Sequence, residues 1–543
     1  MLFTTFRGIS PRTPPHMLPD GMAVMALDVN LQHGTLKPWR EPLAIEQLPE
    51  TTMTVEAYGC CNFAWDTCVS VARWIPDCPR LYITGRMPYP EVAVIDWKTC
   101  SLDYARLGVP MPLTTPLVSY ITVPDKSIET SLRTYMFTYV NWLNEEGAPS
   151  YPSSELAVND GQAVTVSGWA AQPEEYRIQK VRIYRRATGF RTGLEKEQDV
   201  ATDFLFLDEV GISTGSYLDT KKDMQLGWAI STRECREPPA GLRGITAVDG
   251  TAVLCGYVGN RLYFTKNHQP WNWPLELELT LDDNIVHLAQ DDGALFASTT
   301  GRPYNIEGTP DCGDRPCRPV TKADYPFPDI GCGYAHAAIV TPFGMVYASA
   351  DGLVLVSRSS PPTILTESVL AADDWAMLRP DTVRLAYYKG YIICVTDVVS
   401  FMLLIDGNTY SSAAQVAAMS TISDTPIDMV LSDSGELLFL YDTGVLSQWN
   451  AGSTLRPYKW VSAPFISGSH NWFPVACVYV DGTTTYSIIG ENGAVFTRII
   501  TSKKPFRTRR LLRNRSHNIE FSGTGEVTYF RVGATEVDTS NGR

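Results

Sequence analysis

The stretch "ITAVDGTAVLCGYVGN", residues 245–260, places an apolar run, a turn at Gly250, a second apolar run and a second turn at Gly259-Asn260 in close succession. Glycine supplies the positive φ that tight turns require, and such short spacing suits antiparallel strands. The pattern returns in "VHLAQDDGALFASTTG", "AIVTPFGMVYASADG", "RLAYYKGYIICVTD", "DMVLSDSGELLFLYDTG" and "CVYVDGTTTYSIIGENG". The first-turn glycines are Gly250, Gly293, Gly344, Gly390, Gly435 and Gly482, at steps of 43 to 51 residues. Several short strands in a period of roughly 40–50 residues are the mark of β-propeller blades. Each such sheet hides only one face by itself, so the sheets must stack around an axis. Solenoid repeats are usually shorter or helical, and no helical periodicity occurs here.

A second repetition links the two ends of the chain. "RLYITGRMPYP", residues 80–90, is echoed by "RLYFTKNHQPW", residues 261–271. In both, Arg-Leu-Tyr-x-Thr follows a strand and a turn, so the N-terminal segment is expected to supply a blade or part of one. Propellers commonly close by mixing strands from both chain ends. Between the echoes, "TYMFTYVNWLNEEGAPSYPSSE" alternates, with Tyr135, Phe137 and Tyr139 on one face and Thr134, Thr138 and Val140 on the other. "AVTVSG", "KVRIYRRA", "DFLFLDEV" and "GSYLDT" follow as further strands. Short strands with frequent turns and no bridging Cys pair describe a fibronectin-type variant of the immunoglobulin-like sandwich.

The expected fold class is therefore all-β. It is a β-propeller of six or seven blades, closed by N-terminal strands, with an inserted immunoglobulin/fibronectin-III-like β-sandwich. The expected parts are an N-terminal extended arm over 1–40, an N-terminal propeller part over 41–112 and the sandwich insertion over 113–235. The main blades follow over 236–500, and a C-terminal basic strand segment over 501–543.

Composition narrows function by exclusion. Apolar residues make up 44% of the chain and charged residues 19%, a globular balance. The net charge of −14 argues against general coating of nucleic acid, which needs positive charge. No apolar run is long enough for a membrane span, and the N-terminus lacks the apolar core of a secretory signal, so a soluble chain is expected. Cys60, Cys61, Cys68 and Cys78 lie close together, and Cys312 and Cys317 flank a short loop. There is no Cys-x-x-Cys pair and no His near the first group, so buried free thiols are expected rather than a metal site.

Catalytic patterns are nearly absent. Asp282-Asp283, Asp291-Asp292 and Asp373-Asp374 are adjacent pairs, and neighbours on a strand point to opposite faces, so none forms a carboxylate dyad. His16, His33, His268, His287, His336, His470 and His517 show no metal-ligand spacing. There is no phosphate-cradling loop or nucleophile elbow. No catalytic, cofactor-binding or metal residue is assigned, and no cofactor is expected.

One charge feature stands out. "KKPFRTRRLLRNR", residues 503–515, holds Lys503, Lys504, Arg507, Arg509, Arg510, Arg513 and Arg515 with no acidic residue, leaving −21 on the rest of the chain. A short basic belt beside an acidic body suits ordered packing of copies, so these seven residues are the candidate subunit or adaptor interface. Docking on the chain's own acidic surface and contact with nucleic acid are the alternatives.

Several stretches resemble the tail nozzle proteins (tail tubular protein B type) of short-tailed bacteriophages, the podoviruses. They include "FRGISPRTPPHMLPDGMAVMALDVNLQHGTLKPW", "RLYITGRMPYPEVAV", "RTYMFTYVNWLNEEGAPSYPSS" with "VRIYRR", "GNRLYFTKNHQPWNWP", "YASADGLVLV" and "RTRRLLRNRSHNIEF". The similarity runs along nearly the whole chain, and none of its motifs is catalytic. The resemblance implies a structural virion protein of the tail, assembled in the host bacterial cytoplasm. It implies a homohexamer below the head-to-tail adaptor protein, bearing tail fibre or tail tip proteins and continuing the DNA-ejection channel below the portal. Double-stranded DNA would pass through without specific binding. The competing reading is a phage-borne propeller hydrolase or lyase acting on bacterial surface polysaccharide.

Overall fold

The computed structural model describes residues 2–3, 5–76, 78–124, 130–159, 161–188, 203–291, 294–308, 318–320, 330–334, 337–357, 361–408, 413–466, 475–508, 511 and 515–533. These residues are all-β, folded mostly into small antiparallel sheets of two to four strands, with one ten-stranded sheet that contains a parallel step between Ala23–Leu27 and Ala413–Ile422. The single α-helix among them is the six-residue Ala372–Met377. The chain divides into two compact units, one of residues 1–68, 283–307 and 319–543, the other of 69–282 and 308–318.

The second unit holds two four-stranded meanders and the inserted sandwich. Ser70–Arg73, Arg80–Thr84, Glu91–Asp96 and Ser101–Arg106 pair in chain order. So do Arg243–Val248, Val253–Val258, Arg261–Phe264 and Glu278–Thr280. Their first strands pack together, and Ala72, Tyr82, Val92 and Leu107 share one core with Ile245, Leu254, Tyr263 and Trp273. The echoed Leu-Tyr pair is buried in both copies. The copies are not equivalent, however: Arg80–Thr84 is the second strand of its sheet and Arg261–Phe264 the third. The shared letters encode a strand after a turn, not one place in a blade.

Among the described residues the inserted sandwich has seven strands. Leu117–Tyr120, Val164–Ser167 and Ser216–Asp219 form one layer, and Leu156–Asn159, Thr130–Asn141, Ile178–Thr188 and Leu205–Gly211 form the other. Tyr135, Phe137 and Tyr139 face the core as the alternation predicts. Thr134, Thr138 and Val140, on the opposite face, are buried too. Covering segments account for this. Glu146 accepts hydrogen bonds from Thr138 Oγ1 (2.6 Å), Tyr184 OH (2.7 Å) and Arg182 Nη1 (2.7 Å), which seals the outer face with polar contacts.

Two carboxylates of this sandwich give it a pH dependence. Burial works to raise Asp208 and Glu209, but it is outweighed by hydrogen bonds to Asp208 from Lys221 and Tyr217, and to Glu209 from Lys180 and Arg182. Both therefore lie below their ordinary values of 3.8 and 4.5. Carboxyls depressed on folding stabilise fully above their unfolded pKa values of about 4, and that contribution is lost as pH falls through the lower folded values. Thermal unfolding of the wild type and of D208N/E209Q should differ at neutral pH, and the gap should shrink as the pH falls below the unfolded carboxyl range of about 4. A constant gap across the range would refute the linkage.

In the first unit the sheets follow one another as propeller blades do. Ile285–Asp291, Ala294–Thr299 and Tyr304–Glu307 pair in order. They are followed by Ala338–Thr341, Gly344–Ala348, Leu353–Val356 and Thr363–Ile364. Next come Arg384–Tyr388, Tyr391–Val395, Ser400–Asn408 and Ala413–Ile422. Asp428–Leu431, Leu437–Leu440 and Val445–Gln448 form a further sheet, whose fourth strand is the N-terminal Leu43–Gln47. The hairpin of Thr54–Tyr58 and Cys61–Trp65 follows. The first strand of each of these pieces packs beside the next, from Ile285–Asp291 through to Thr54–Tyr58. Gly250, Gly390 and Gly435 take positive φ (72°, 90° and 75°), as their turns require.

The sixth sequence repeat behaves differently. Val475–Asp481 and Thr484–Gly490 flank Gly482 but do not pair with each other. They belong to opposite layers of a C-terminal sandwich. One layer contains Ala23–Leu27, Tyr458–Ser462, Ser516–Gly523, Thr484–Gly490 and Gly493–Ile500. The other contains Leu2–Phe3, Glu526–Gly533, Val475–Asp481 and Phe506–Arg507. Phe6, Trp460, Tyr486, Phe521 and Phe530 fill its core.

The N-terminal segment is thus engaged within its own chain. Ile9 N–H donates to Met419 O (2.8 Å) and Arg12 N–H to Val369 O (3.0 Å). A Cβ on Gly8 would lie 2.1 Å from Met419 O, so only glycine allows this approach.

Candidate interface on the C-terminal sandwich

Both layers of the C-terminal sandwich end on the side that carries the basic run. Phe506–Arg507 is the outermost strand of one layer and Gly493–Ile500 of the other. Phe506 is buried and stacks on Phe496, with centroids 6.4 Å apart and planes 10° apart, and lies edge-on to Tyr486 at 5.6 Å. Leu511 is a second buried anchor in the same core. The apolar side chains therefore fix the run at two points, and Lys503, Lys504 and Arg507 turn outward.

Lys503, Lys504 and Arg507 are exposed and make no ion pair with a described residue. Lys503 is held through its backbone, where its carbonyl accepts from Cys477 Sγ at 3.4 Å. Arg515, about half exposed, lies 3.6 Å from Glu491, itself exposed, a pair worth little in water. Arg509, Arg510 and Arg513 lie outside the described residues. The structure adds Arg498, whose guanidinium sits 4.8 Å over the Phe506 ring. Sequence reading passed over it because "FTRII" reads as an apolar strand, and its place beside the basic run depends on long-range pairing.

The five described cations, Arg498, Lys503, Lys504, Arg507 and Arg515, are exposed on or beside these outermost strands and have two physical uses. Lysines and arginines deter unwanted strand addition at an open edge. They also present a positive stripe to an acidic partner, with an attraction that salt screens.

Other sequence candidates take structural roles. Asp374 Oδ2 accepts from Ala371 N–H at the start of the short helix, and Asp283 Oδ2 from Arg302 N–H. His517 is buried, with Nδ1 2.9 Å from Arg515 O. Of the N-terminal cysteines, Cys60 and Cys68 are unbridged but exposed, against the expectation of buried thiols, and Cys78 is unbridged and partly buried. Cys61 departs from the expectation, being disulfide-bonded. Cys312 and Cys317 lie outside the described residues.

No protein-family model matches the chain, and no curated protein matches its sequence. Among solved structures it is similar to PorZ of Porphyromonas gingivalis, a bacterial surface component of the type-IX secretion system. That match has 13% identity over 84% of this chain and 70% of PorZ, with a TM-score of 0.27. It is also similar to Sqt1 of Saccharomyces cerevisiae, with 10% identity over 73% of this chain and 98% of Sqt1 and a TM-score of 0.24. At such scores neither defines the fold, which rests on the strand pairing itself.

Proposed function

We propose that this chain is a structural subunit of a DNA-conducting ring, the tail nozzle below the head-to-tail adaptor of a short-tailed bacteriophage. The reading includes closure of the successive small sheets into a propeller ring. Leu43–Gln47 completing the last sheet supports that closure, because it joins strands from distant parts of the chain. The sequence resemblance along nearly the whole chain supports the identity.

One observation carries the assembly reading: a stripe of exposed cations lies on one edge of a chain whose net charge is −14. Copies of such a chain repel through their acidic surfaces and attract where the stripe meets an acidic neighbour or the ring above. An acidic channel wall would repel phosphate, so DNA would slide past without being held. In this role the protein works by shape and charge, and needs no active site. Fibre or tip proteins would attach to the outside of the ring.

Charge reversal tests the stripe. K504E/R507E changes exposed side chains only, so the monomer should keep its thermal stability. Its association with the adaptor should weaken at least tenfold, measured by light scattering at fixed salt. Assembly indistinguishable from wild type would remove the stripe from any interface.

A further inference from the structure

The pair Asn-Gly occurs twice in the sequence, at Asn492-Gly493 and at Asn541-Gly542, and the second lies outside the described residues. Asn492 sits in the hairpin between Thr484–Gly490 and Gly493–Ile500. Gly490 and Gly493 close its ladder, so Glu491 and Asn492 are the two turn residues. Gly493 takes a φ of 104°, which glycine adopts without strain. Glu491, Asn492 and Gly493 are all exposed. Among the described residues, no hydrogen-bond partner restrains the Asn492 side chain.

Two other asparagines show the contrast. Asn141 is buried and its amide donates to Glu145 Oε2 at 2.7 Å, while Asn518 donates to Ser462 O at 2.7 Å. Bulky residues follow both, Trp142 and Ile519, whereas a Cβ built on Gly493 would meet nothing within 4 Å. Closure of an asparagine amide onto the next backbone nitrogen needs a free side chain, room beside that nitrogen and a backbone able to rotate. The turn offers the first two, and glycine supplies the third.

We propose that Asn492-Gly493 is a site of spontaneous deamidation. The Gly493 backbone nitrogen attacks Asn492 Cγ, the Cγ–Nδ2 bond breaks, and the proton lost from Gly493 leaves with the amide as ammonia. The product is a five-membered succinimide, which solvent water opens. Water entering at Cγ gives aspartate, and water entering at the main-chain carbonyl carbon gives isoaspartate. Either product puts a carboxylate where a neutral amide stood, beside the Glu491–Arg515 pair and at the head of the strand that carries Arg498. The isoaspartate also lengthens the backbone inside a two-residue turn, which disturbs the closing pair of Gly490 and Gly493. The change belongs to the single chain and does not depend on assembly.

The test is peptide mapping by mass spectrometry of the purified full chain, held folded at mildly alkaline pH and sampled over days. Asn492 should lose its amide roughly tenfold or more faster than Asn141 and Asn518 in the same digest, with isoaspartate as the main product. N492Q should stop the change at this position, because glutamine must close a six-membered ring, and should unfold at the wild-type temperature. In the aged wild type, the amides of 493–500 should exchange with solvent faster than in fresh protein. Equal, slow loss of the amide at Asn492, Asn141 and Asn518 would overturn the proposal. So would a peptide around 492–493 that keeps its amide while the one around 541–542 loses its own, since the turn would then protect the pair.

Discussion

Arg456→Ala is expected to lower the stability of the first unit by roughly 3–5 kcal/mol, the cost of removing one partner from a buried ion pair. Arg456 is buried and ties four separated segments together. Its Nη1 lies 2.6 Å from Asp424 Oδ2 and 3.5 Å from Asp28 Oδ1, and its Nη2 lies 3.0 Å from Glu41 Oε2. Asp28 also accepts from Ser423 N–H at 2.9 Å, and Asp424 from Tyr441 OH at 2.8 Å. Without the guanidinium, Asp28 and Asp424 remain buried with no cation beside them. The lost anchor adds to the backbone bonds that hold residues 28–41 to the last meander and to the entry of the C-terminal sandwich. Calorimetry should show the transition of this unit falling by roughly 5–10 °C. Arg456→Lys should recover only part of the loss, because an ammonium cannot reproduce the planar fork. A shift of under about 1 °C for Arg456→Ala would show that the cluster is not a staple.

Asp219→Ala should cost the inserted sandwich a similar roughly 3–5 kcal/mol. Arg185 is wholly buried, with Nη1 2.6 Å from Asp219 Oδ2 and Nη2 2.7 Å from Asp223 Oδ1. Arg133 Nη1 is 3.9 Å from the same Asp219 oxygen, and Tyr135 OH donates to it at 2.7 Å. Removing Asp219 therefore takes the carboxylate from buried Arg133 and leaves buried Arg185 with Asp223 alone, which is about a third exposed. The double replacement R185M/D219L removes a charge of each sign and should recover part of the loss, since apolar pairs of similar volume often match a buried ion pair while Arg133 still lacks its carboxylate. Limited proteolysis of the insertion gives the readout. Equal cleavage of D219A and wild type would contradict the assignment, and so would a double variant no better than D219A.

These clusters also show where sequence reading stops. The meanders were legible because glycine at positive φ and two-residue alternation are local signals, visible in single stretches such as those around Gly250 and Gly435. The inserted sandwich was legible for the same reason, through Tyr135, Phe137 and Tyr139. Gly482 carries an identical local signal, yet its flanking strands part into two layers. Their partners, Glu526–Gly533 and Ser516–Gly523, lie far along the chain. Tertiary pairing overrode the local hairpin. The burial of Thr134 and Thr138 was illegible because it depends on Glu146 and other covering residues, which no periodicity in the strand reports. Arg456, Arg185 and Asp219 were invisible as a class: a charged residue in a strand reads as a solvated face until its partner is placed across the sheet. The basic run was legible as composition, while its anchoring by Phe506 and Leu511 and its extension by Arg498 came only with the fold.

The central claim is that copies of this chain form a ring on an adaptor, and the most direct measurement is mass. Light scattering of the purified wild-type chain, alone and after mixing with the head-to-tail adaptor, should show a monomer becoming a six-fold assembly only on the adaptor. A chain that stays monomeric in the adaptor's presence at every concentration and salt tested would contradict the account.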